Sequence, residues 1–211
     1  MTSNSLTVGG IVLCGGQSTR MGRPKALLPF GLELMLQRVV RILGGVVAPI
    51  VVVAARDQAL PDLPTGVRIA RDEHESLGPL AGLAAGLSAI RGDVDAAYVS
   101  SCDAPLLKPE FVRHMIDALG DDDLAIPRDG KYHHPLAAVY RTSVETAVRD
   151  LLASHRLRPF FLLERVRARE IDVGELRAVD ADLQSLRNTN TPEDYRAALA
   201  EAGLEEGTPS G

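Results

Sequence analysis

Short apolar runs alternate with longer amphipathic stretches through the first part of the chain. The runs that predict buried strands are Gly10–Leu13, Ile50–Ala54, Ala96–Ser100 and Leu124–Pro127. Runs that are apolar on both faces are typical of parallel strands covered by helices on each side. Apolar residues at helical spacing predict helices over Leu32–Leu43, Pro79–Ile90 and Pro109–Leu119. This order indicates an open, mostly parallel sheet with helices on both faces.

After residue 130 the pattern becomes less regular. It predicts a strand over His134–Tyr140, a helix over Ser143–Ala153 and a short strand over Ile171–Val173. Thr191 and Pro192 have the residue types of an N-cap and a first helical position, so a last helix follows them. Because the chain shows no internal repeat or long linker, we expect one domain over residues 9–203, with flexible ends at 1–8 and 204–211.

Composition narrows the class of protein. The chain has 211 residues, of which 45% are hydrophobic and 24% charged, as in a globular domain. Its 23 basic and 28 acidic side chains give a formal charge of -5, so we expect no nucleic-acid partner. No apolar run reaches the roughly 18 residues of a membrane span, and the polar start is unlike a signal peptide. With only two cysteines, a cytoplasmic location is predicted.

A glycine-rich loop follows the first strand directly, from Leu13 to Lys25. Gly15 and Gly16 let the backbone turn tightly and bring N–H groups close to an anion, and Arg20 and Lys25 add positive charge. The loop matches neither the P-loop nor the dinucleotide-binding pattern, which argues against a dehydrogenase. Its residues predict phosphate binding at the carboxyl ends of the strands, with a solvated surface loop as the alternative.

Asp103 is a candidate metal ligand because it follows the predicted strand Ala96–Ser100. Its carboxylate is expected at the same edge of the sheet as the glycine-rich loop. A single carboxylate suits Mg²⁺ that arrives with nucleotide phosphates and keeps several waters. The alternative is a structural role, in which Asp103 caps the helix beginning near Pro109.

The loop Leu13–Lys25 resembles the signature of nucleotidyltransferases related to molybdenum cofactor guanylyltransferase, and more distantly that of sugar-phosphate nucleotidyltransferases. Three further motifs match in order: Asp72 before Gly78–Gly82, then Cys102–Pro105, then Asn188–Asp194. Together the matches cover nearly the whole chain. The resemblance implies a three-layer α/β/α, Rossmann-like nucleotide-diphospho-sugar transferase fold with a mostly parallel central sheet.

The resemblance also implies a reaction. GMP would pass from GTP to the phosphate of the molybdopterin-bound molybdenum cofactor, with Mg²⁺ present and release of pyrophosphate. A phosphate monoester is already ionised near neutral pH, so the enzyme needs no general base and acts by positioning and charge neutralisation. The implied partners are GTP, molybdopterin or its molybdenum form, and proteins of cofactor biosynthesis.

The resemblance distributes the candidate residues over two substrates. The nucleotide is assigned to Leu13, Cys14, Gly15, Gly16, Lys25, Asp72 and Asp103. Lys25 bridges the phosphates and stabilises the transition state, Arg20 assists the triphosphate, and Asp103 binds Mg²⁺. The acceptor is assigned to His134, Asn188 and Asn190. Taken as residues alone, a strand start explains His134 and turn preference explains the two asparagines equally well.

Two positions depart from the guanylyltransferase pattern. Ala54 stands where the family often has an asparagine that contacts the nucleoside, and Pro24 stands where it often has an aspartate. The pair Gly15-Gly16 resembles the guanine-using branch more than the cytidine-using branch. A cytidylyltransferase for molybdopterin, a nucleotidyltransferase for another phosphorylated acceptor and a non-catalytic nucleotide-binding protein remain as alternatives.

Overall fold

A computed structural model describes residues 6–15, 23–72 and 77–205 of the chain. The strands are β1 (Val8–Leu13), β2 (Pro29–Phe30), β3 (Glu33–Leu34), β4 (Ile50–Ala55), β5 (Arg68–Asp72), β6 (Ala96–Ser101), β7 (Leu124–Asp129), β8 (Tyr132–His133), β9 (Ala137–Arg141) and β10 (Ala168–Asp172). The α-helices are α1 (Met35–Gly44), α2 (Pro79–Ile90), α3 (Pro109–Leu119), α4 (Glu145–Ala153), α5 (Val173–Leu176) and α6 (Pro192–Glu201). Short 3-10 turns lie at Lys25–Leu27, Thr142–Val144, Pro159–Glu164 and Gln184–Leu186.

The described strands form one large mixed sheet with the order β10-β7-β9-β6-β1-β4-β5, to which β8 adds by pairing with β7. The central strands β6, β1, β4 and β5 are all parallel to their neighbours in this group. Strand β9 is antiparallel to β6 and β7, whereas β10 is parallel to β7. The mostly parallel sheet is therefore confirmed, and the carboxyl ends of β1, β4, β5 and β6 meet at one edge.

Helices cover both faces of this sheet. Successive strand residues point to opposite faces, so Val12 of β1 packs in a core with α1 and α3, while Ile11 packs in a second core with α2 and α4. The apolar stripe predicted for the first helix, from Leu36 to Leu43, is fully buried in the first core. Three layers in the order helix, sheet, helix follow from this arrangement, as predicted.

A third, smaller core holds the C-terminal helix against the β2–β3 hairpin. The ring of Phe30 lies 6.5 Å from that of Tyr195, edge to face at 66°. The Tyr195 hydroxyl donates to the Pro29 carbonyl, and Leu199 is buried in the same cluster. Because the hairpin follows the turn that contains Lys25, this contact brings the start of α6 close to that lysine.

The same hairpin explains why the predicted start of the first helix was wrong. The helix begins at Met35 and not at Leu32, because Leu32 lies in the turn and Glu33 and Leu34 pair back on Pro29–Phe30. Gly31 makes the turn with a φ of 70°, a left-handed conformation that favours glycine.

The sheet also differs from prediction in strand boundaries and in one strand that the sequence pattern missed. The strand predicted over His134–Tyr140 is β9 at Ala137–Arg141, with His133 in the separate strand β8. The strand predicted over Ile171–Val173 is β10, which ends at Asp172, so that Val173 begins α5. Strand β5 was not predicted, because it lies at the sheet edge and exposes most of its residues.

The described residues also extend beyond the predicted domain ends. The backbone N–H and hydroxyl of Thr7 donate to Asp95 Oδ2 at 2.8 and 2.7 Å, and β1 already begins at Val8. At the other end, the Leu204 N–H donates to the Leu199 carbonyl at 2.9 Å, and its side chain packs on the third core. Among the described helices, none combines the length and apolar character needed to cross a bilayer.

Candidate active site

Two neighbouring cavities open at the carboxyl edge of the sheet. The first has a volume of about 170 Å³ and is lined by Leu13, Gly15, Val53, Asp72, Gly78, Pro79, Gly82, Ser101 and Leu136. The second has a volume of about 210 Å³ and is lined by Pro79, His133, His134, Pro135, Leu136, Ala137, Ser185, Leu186 and Asn188. Pro79 and Leu136 border both, so the two cavities share a wall.

The N-terminus of α2 contributes to the first cavity. Gly78 precedes the helix with a φ of 73°, which favours glycine, and Pro79 occupies a first-turn position. Free backbone N–H groups and the helix dipole make such an end favourable for an anion. Asp72, at the end of β5, is buried on the same cavity wall and supplies a carboxylate that can accept hydrogen bonds from a ligand.

The ammonium group of Lys25 contacts two segments that border the two cavities. Its Nζ donates to Asp103 Oδ2 at 2.5 Å and to Asn190 Oδ1 at 2.8 Å. Asp103 lies two residues after Ser101, which lines the first cavity, and Asn190 lies two residues after Asn188, which lines the second. The partly buried ammonium group therefore contacts one side chain from each of the two segments that border the cavities.

The backbone around Asp103 is held by the C-terminal segment. Both the N–H and the hydroxyl of Thr189 donate to the Asp103 carbonyl, at 2.9 and 3.2 Å. Thr189 itself is buried, so these hydrogen bonds are shielded from water. The segment before α6 thus fixes the loop that carries the carboxylate, 86 residues earlier in the chain.

Asp103 has one carboxylate oxygen that fits a metal ion. Its Oδ1 is buried and accepts no hydrogen bond within the described residues, while Oδ2 is taken by Lys25. A buried carboxylate oxygen without a partner is costly, and a hard divalent cation would satisfy it. Among the described residues no group of three or more His, Cys, Asp or Glu is arranged to hold a metal.

The second cavity contains two of the three residues predicted for the acceptor. His134 and Asn188 line it, whereas the described lining does not include Asn190. Burial lowers the pKa of His134, and the opposing effect of Asp129 is smaller. His134 is therefore neutral at pH 7, when one ring nitrogen can donate and the other accept a hydrogen bond. Its neighbour His133 contacts Glu170 Oε2 at 2.8 Å.

The structure places the residues predicted to bind the nucleotide in different surroundings. Leu13, Gly15, Asp72 and Asp103 lie at or beside the first cavity. Cys14, also predicted beside the base, follows β1 directly, and its buried side chain lies in the core that packs against α1. A hydrogen bond with Cys14, together with burial, raises the pKa of the Cys102 thiol, as expected of an inert core pair. Gly16 and Arg20 lie outside the described residues.

The two departures from the family pattern do not disturb this geometry. Ala54 is fully buried in β4 and is absent from the described lining of both cavities. Pro24 precedes the 3-10 turn at Lys25–Leu27 with a φ of -59°, which suits its ring. Neither substitution removes a group from the contact between Lys25 and Asp103.

Sequence reasoning missed Ser101, Leu136 and Thr189. Ser101 ends β6 next to the recognised motif around Asp103, so its position after a buried strand was an available signal. Thr189 lies inside the recognised motif Asn188–Asp194, but the sequence does not indicate that it binds the Asp103 carbonyl, and Leu136 carries no signal because an apolar residue fits many structural roles. Only the packing of distant segments reveals what they contact.

The three-layer fold, the cavities at the strand ends and the lysine–aspartate pair are features that the resemblance to nucleotidyltransferases implies. The model of the MobA-like NTP transferase domain matches residues 10–169 of the chain. The chain belongs to this family, which confirms the resemblance noted from its motifs.

Relatives extend over most of the chain. A probable molybdenum cofactor guanylyltransferase of Pelotomaculum thermopropionicum is 34% identical over 186 residues, 88% of each chain. A probable molybdenum cofactor guanylyltransferase of Mycobacterium tuberculosis is 36% identical over 205 residues, 94% of this chain and 96% of the relative. Both identities lie well within the range expected for members of one family.

Solved structures share the fold. Molybdopterin-guanine dinucleotide biosynthesis protein A of Archaeoglobus fulgidus superposes with a TM-score of 0.75 at 24% identity, covering 94% of this chain and 99% of the other. The manganese complex of Rv0371C from Mycobacterium tuberculosis has a TM-score of 0.61 at 16% identity, covering 92% and 98%. At these identities the likeness establishes the architecture.

Proposed function

We propose that this nucleotidyltransferase transfers GMP from GTP to the phosphate of the molybdopterin-bound molybdenum cofactor. A phosphate oxygen of the acceptor forms a bond to the α-phosphorus of GTP. The bond between the α-phosphorus and its bridging oxygen to the β-phosphate breaks, and pyrophosphate leaves with that electron pair. Since the acceptor oxygen is already ionised near neutral pH, no protein group has to remove a proton.

The contact of Lys25 with both Asp103 and Asn190 is the observation that carries this proposal. The reaction brings two polyanions together, and an ammonium group held by Asp103 and Asn190, next to the segments that border both cavities, would lower their repulsion. The first cavity, with Asp72 and the start of α2, suits the nucleoside and its phosphates. The second cavity, with His134 and Asn188, suits the acceptor because both side chains offer hydrogen-bonding groups.

Asp103 Oδ1 is the group that would hold a divalent metal, for which we propose Mg²⁺. Bound there, Mg²⁺ would neutralise phosphate charge and bring ordered waters, in keeping with its preference for oxygen ligands. Lys25 binds Oδ2, the other oxygen of the same carboxylate. Asp103 would therefore hold both the metal and the ammonium group close to the phosphates.

Guanine is proposed as the base because the relatives at 34% and 36% identity are named as guanylyltransferases. The motif that begins with Gly15 also resembles the guanine-using branch. Arg20 and Gly16 keep their predicted roles at the triphosphate as part of the proposal. The cytoplasm remains the predicted location, and proteins of cofactor biosynthesis remain the predicted partners.

Pyrophosphate release tests the proposal. It is measured with each of the four nucleoside triphosphates, Mg²⁺, and molybdopterin with or without molybdenum. We expect release with GTP that requires the acceptor. Pyrophosphate release with CTP alone would show that the base is cytosine and not guanine. No release with any combination of nucleotide and acceptor would contradict the proposed reaction.

Variants of Lys25 test the site itself. Lys25→Ala is expected to lower kcat by about 100-fold to 1,000-fold, the range seen when one group that stabilises transition-state charge is removed. Arg113→Ala is the matched control, because Arg113 is an exposed cation of α3 that lines neither described cavity. Equal and modest losses of GTP affinity and kcat in Lys25→Ala would contradict a transition-state role.

A further inference from the structure

Asn190 contacts the catalytic side of the site and not the described acceptor cavity. Its Oδ1 accepts a hydrogen bond from Lys25 Nζ at 2.8 Å, and the same ammonium donates to Asp103 Oδ2 at 2.5 Å. Asn188, two residues earlier, lines the second cavity. Two asparagines of one motif are thus directed to different parts of the site.

Asn190 is fixed from the helix that follows it. Its backbone N–H donates to Asp194 Oδ2 at 3.0 Å, and the N–H of Thr191 donates to the same oxygen at 2.9 Å. The Asp194 N–H donates in return to Thr191 Oγ1 at 3.1 Å, which completes a capping box at the start of α6. Hydrogen bonds from Thr191 and Asn190 lower the pKa of Asp194, so its carboxylate is charged at neutral pH.

Asn190 is also fixed from the residue that precedes it. Thr189 donates two hydrogen bonds to the Asp103 carbonyl and is buried. The backbone is therefore held at Asp103 on one side of Asn190 and at Asp194 on the other. With its backbone held on both sides, the exposed side chain of Asn190 keeps only its own rotations, and its Oδ1 stays within reach of Lys25.

We propose that Asn190 is a positioning residue that orients the Lys25 ammonium for nucleotidyl transfer, and that Asp194 holds Asn190 in place. A lysine side chain is long and flexible, and its ammonium group has no directional preference of its own. Two fixed acceptors, Asp103 Oδ2 and Asn190 Oδ1, give it one. Since displacement of a reacting group by about 1 Å can cost about 100-fold in rate, such anchoring matters. This inference rests on the proposed role of Lys25 at the phosphates.

Steady-state kinetics separate positioning from acceptor contact. Asn190→Leu keeps the shape of the side chain and removes its oxygen. We expect kcat to fall about tenfold to 100-fold, the usual effect of losing a hydrogen bond to a charged group, with the KM for molybdopterin within about twofold. Asn188→Ala is the comparison variant, expected to raise that KM. A higher acceptor KM with unchanged kcat in Asn190→Leu would overturn the inference.

A double-mutant cycle shows whether Asn190 acts through Lys25. In single-turnover experiments, we expect Lys25→Ala and the double variant with Asn190→Leu to react at the same rate within about twofold. If Asn190→Leu lowers the rate of Lys25→Ala by the same factor as it lowers the rate of the wild type, the inference is overturned. The proposed function would be unaffected by that result. If Lys25→Ala itself reacts like the wild type, the proposed role of Lys25 fails first.

Variants of Asp194 separate the anchor from the stability of α6. Asp194→Ala removes the oxygen that holds Asn190, so kcat is expected to fall, whereas Asp194→Asn keeps an acceptor oxygen and restores most of the rate. Ala197→Gly weakens the same helix at an exposed position without touching Asn190, and its kcat is expected to stay at the wild-type value. Equal losses of kcat in Asp194→Ala and Ala197→Gly would show that the helix, and not the anchor, sets the rate.

Discussion

Two glycines of α2, Gly82 and Gly86, lie about one turn apart and have different surroundings. A Cβ on Gly82 would lie 3.5 Å from the Leu13 methyl carbons and 3.8 Å from Asp72 Oδ2, which are ordinary van der Waals contacts. A Cβ on Gly86 would lie 2.5 Å from Ile11 Cγ2 and 3.2 Å from Val53 Cγ2. The same substitution to alanine is therefore expected to have opposite effects on stability at the two positions.

The magnitudes follow from two competing terms. Alanine is favoured over glycine inside a helix by about 1 kcal/mol, because it restricts the unfolded chain. Nothing opposes this gain at Gly82, so Gly82→Ala is expected to raise the free energy of unfolding by about 0.5–1 kcal/mol. At Gly86 the new methyl overlaps Ile11, a fully buried residue of the central strand. Overpacking of about 1–3 kcal/mol then exceeds the gain, and Gly86→Ala is expected to lose about 1 kcal/mol.

Gly82 also lines the cavity assigned to the nucleoside, so the added methyl takes space from the ligand. Gly82→Ala is expected to be more stable than the wild type and to bind GTP more weakly, while Gly86→Ala keeps its GTP affinity. Urea unfolding followed by circular dichroism gives the stabilities, and calorimetry gives the affinities. Stability changes of the same sign would refute the packing argument, and unchanged GTP affinity in Gly82→Ala would refute the assignment of the cavity.

Two further predictions concern the acceptor side. Burial lowers the pKa of His134, so this group binds protons less readily in the folded chain than in the unfolded chain. The free energy of unfolding is therefore unaffected by this group above a pH of about 6.5 and falls as the pH drops below that value. His134→Gln is expected to reduce the fall in Tm between about pH 7 and 5.5, and identical Tm profiles would contradict this. Asp180 is buried, forms an ion pair with Lys108, whose Nζ lies 2.8 Å from Oδ1, and accepts a hydrogen bond from the Ser185 N–H at 2.7 Å. Asp180→Ala is expected to lose about 2–3 kcal/mol in urea unfolding, whereas a loss below about 0.5 kcal/mol would show that this pair does not stabilise the loop.

The predictable parts of the fold are the elements whose burial shows in the local pattern of apolar residues. Strand β4 reads as an uninterrupted apolar run, and α2 and α3 begin and end at the predicted residues because a proline starts each of them. Strand β5 could not be predicted in the same way. It exposes Arg68, Ile69 and Arg71 at the sheet edge, so its sequence lacks the buried pattern that marks the central strands.

The candidate site was predictable where a motif adjoins a strand. Lys25 and Asp103 each follow a recognisable strand and meet as expected at the sheet edge. The family resemblance assigned Asn190 to the acceptor, and nothing in the sequence indicates that it reaches a lysine 165 residues away. That contact depends on the docking of α6 against the β2–β3 hairpin, which is a property of the folded chain.

The central claim is that the α-phosphate of GTP is transferred to the acceptor. The most direct measurement incubates the protein and Mg²⁺ with molybdopterin and GTP labelled with ³²P at either the α- or the γ-position, and separates the products. We predict that the α-label appears on the molybdopterin product and that the γ-label appears in pyrophosphate. Transfer of the γ-label to molybdopterin, or absence of the α-label from it, would contradict the account.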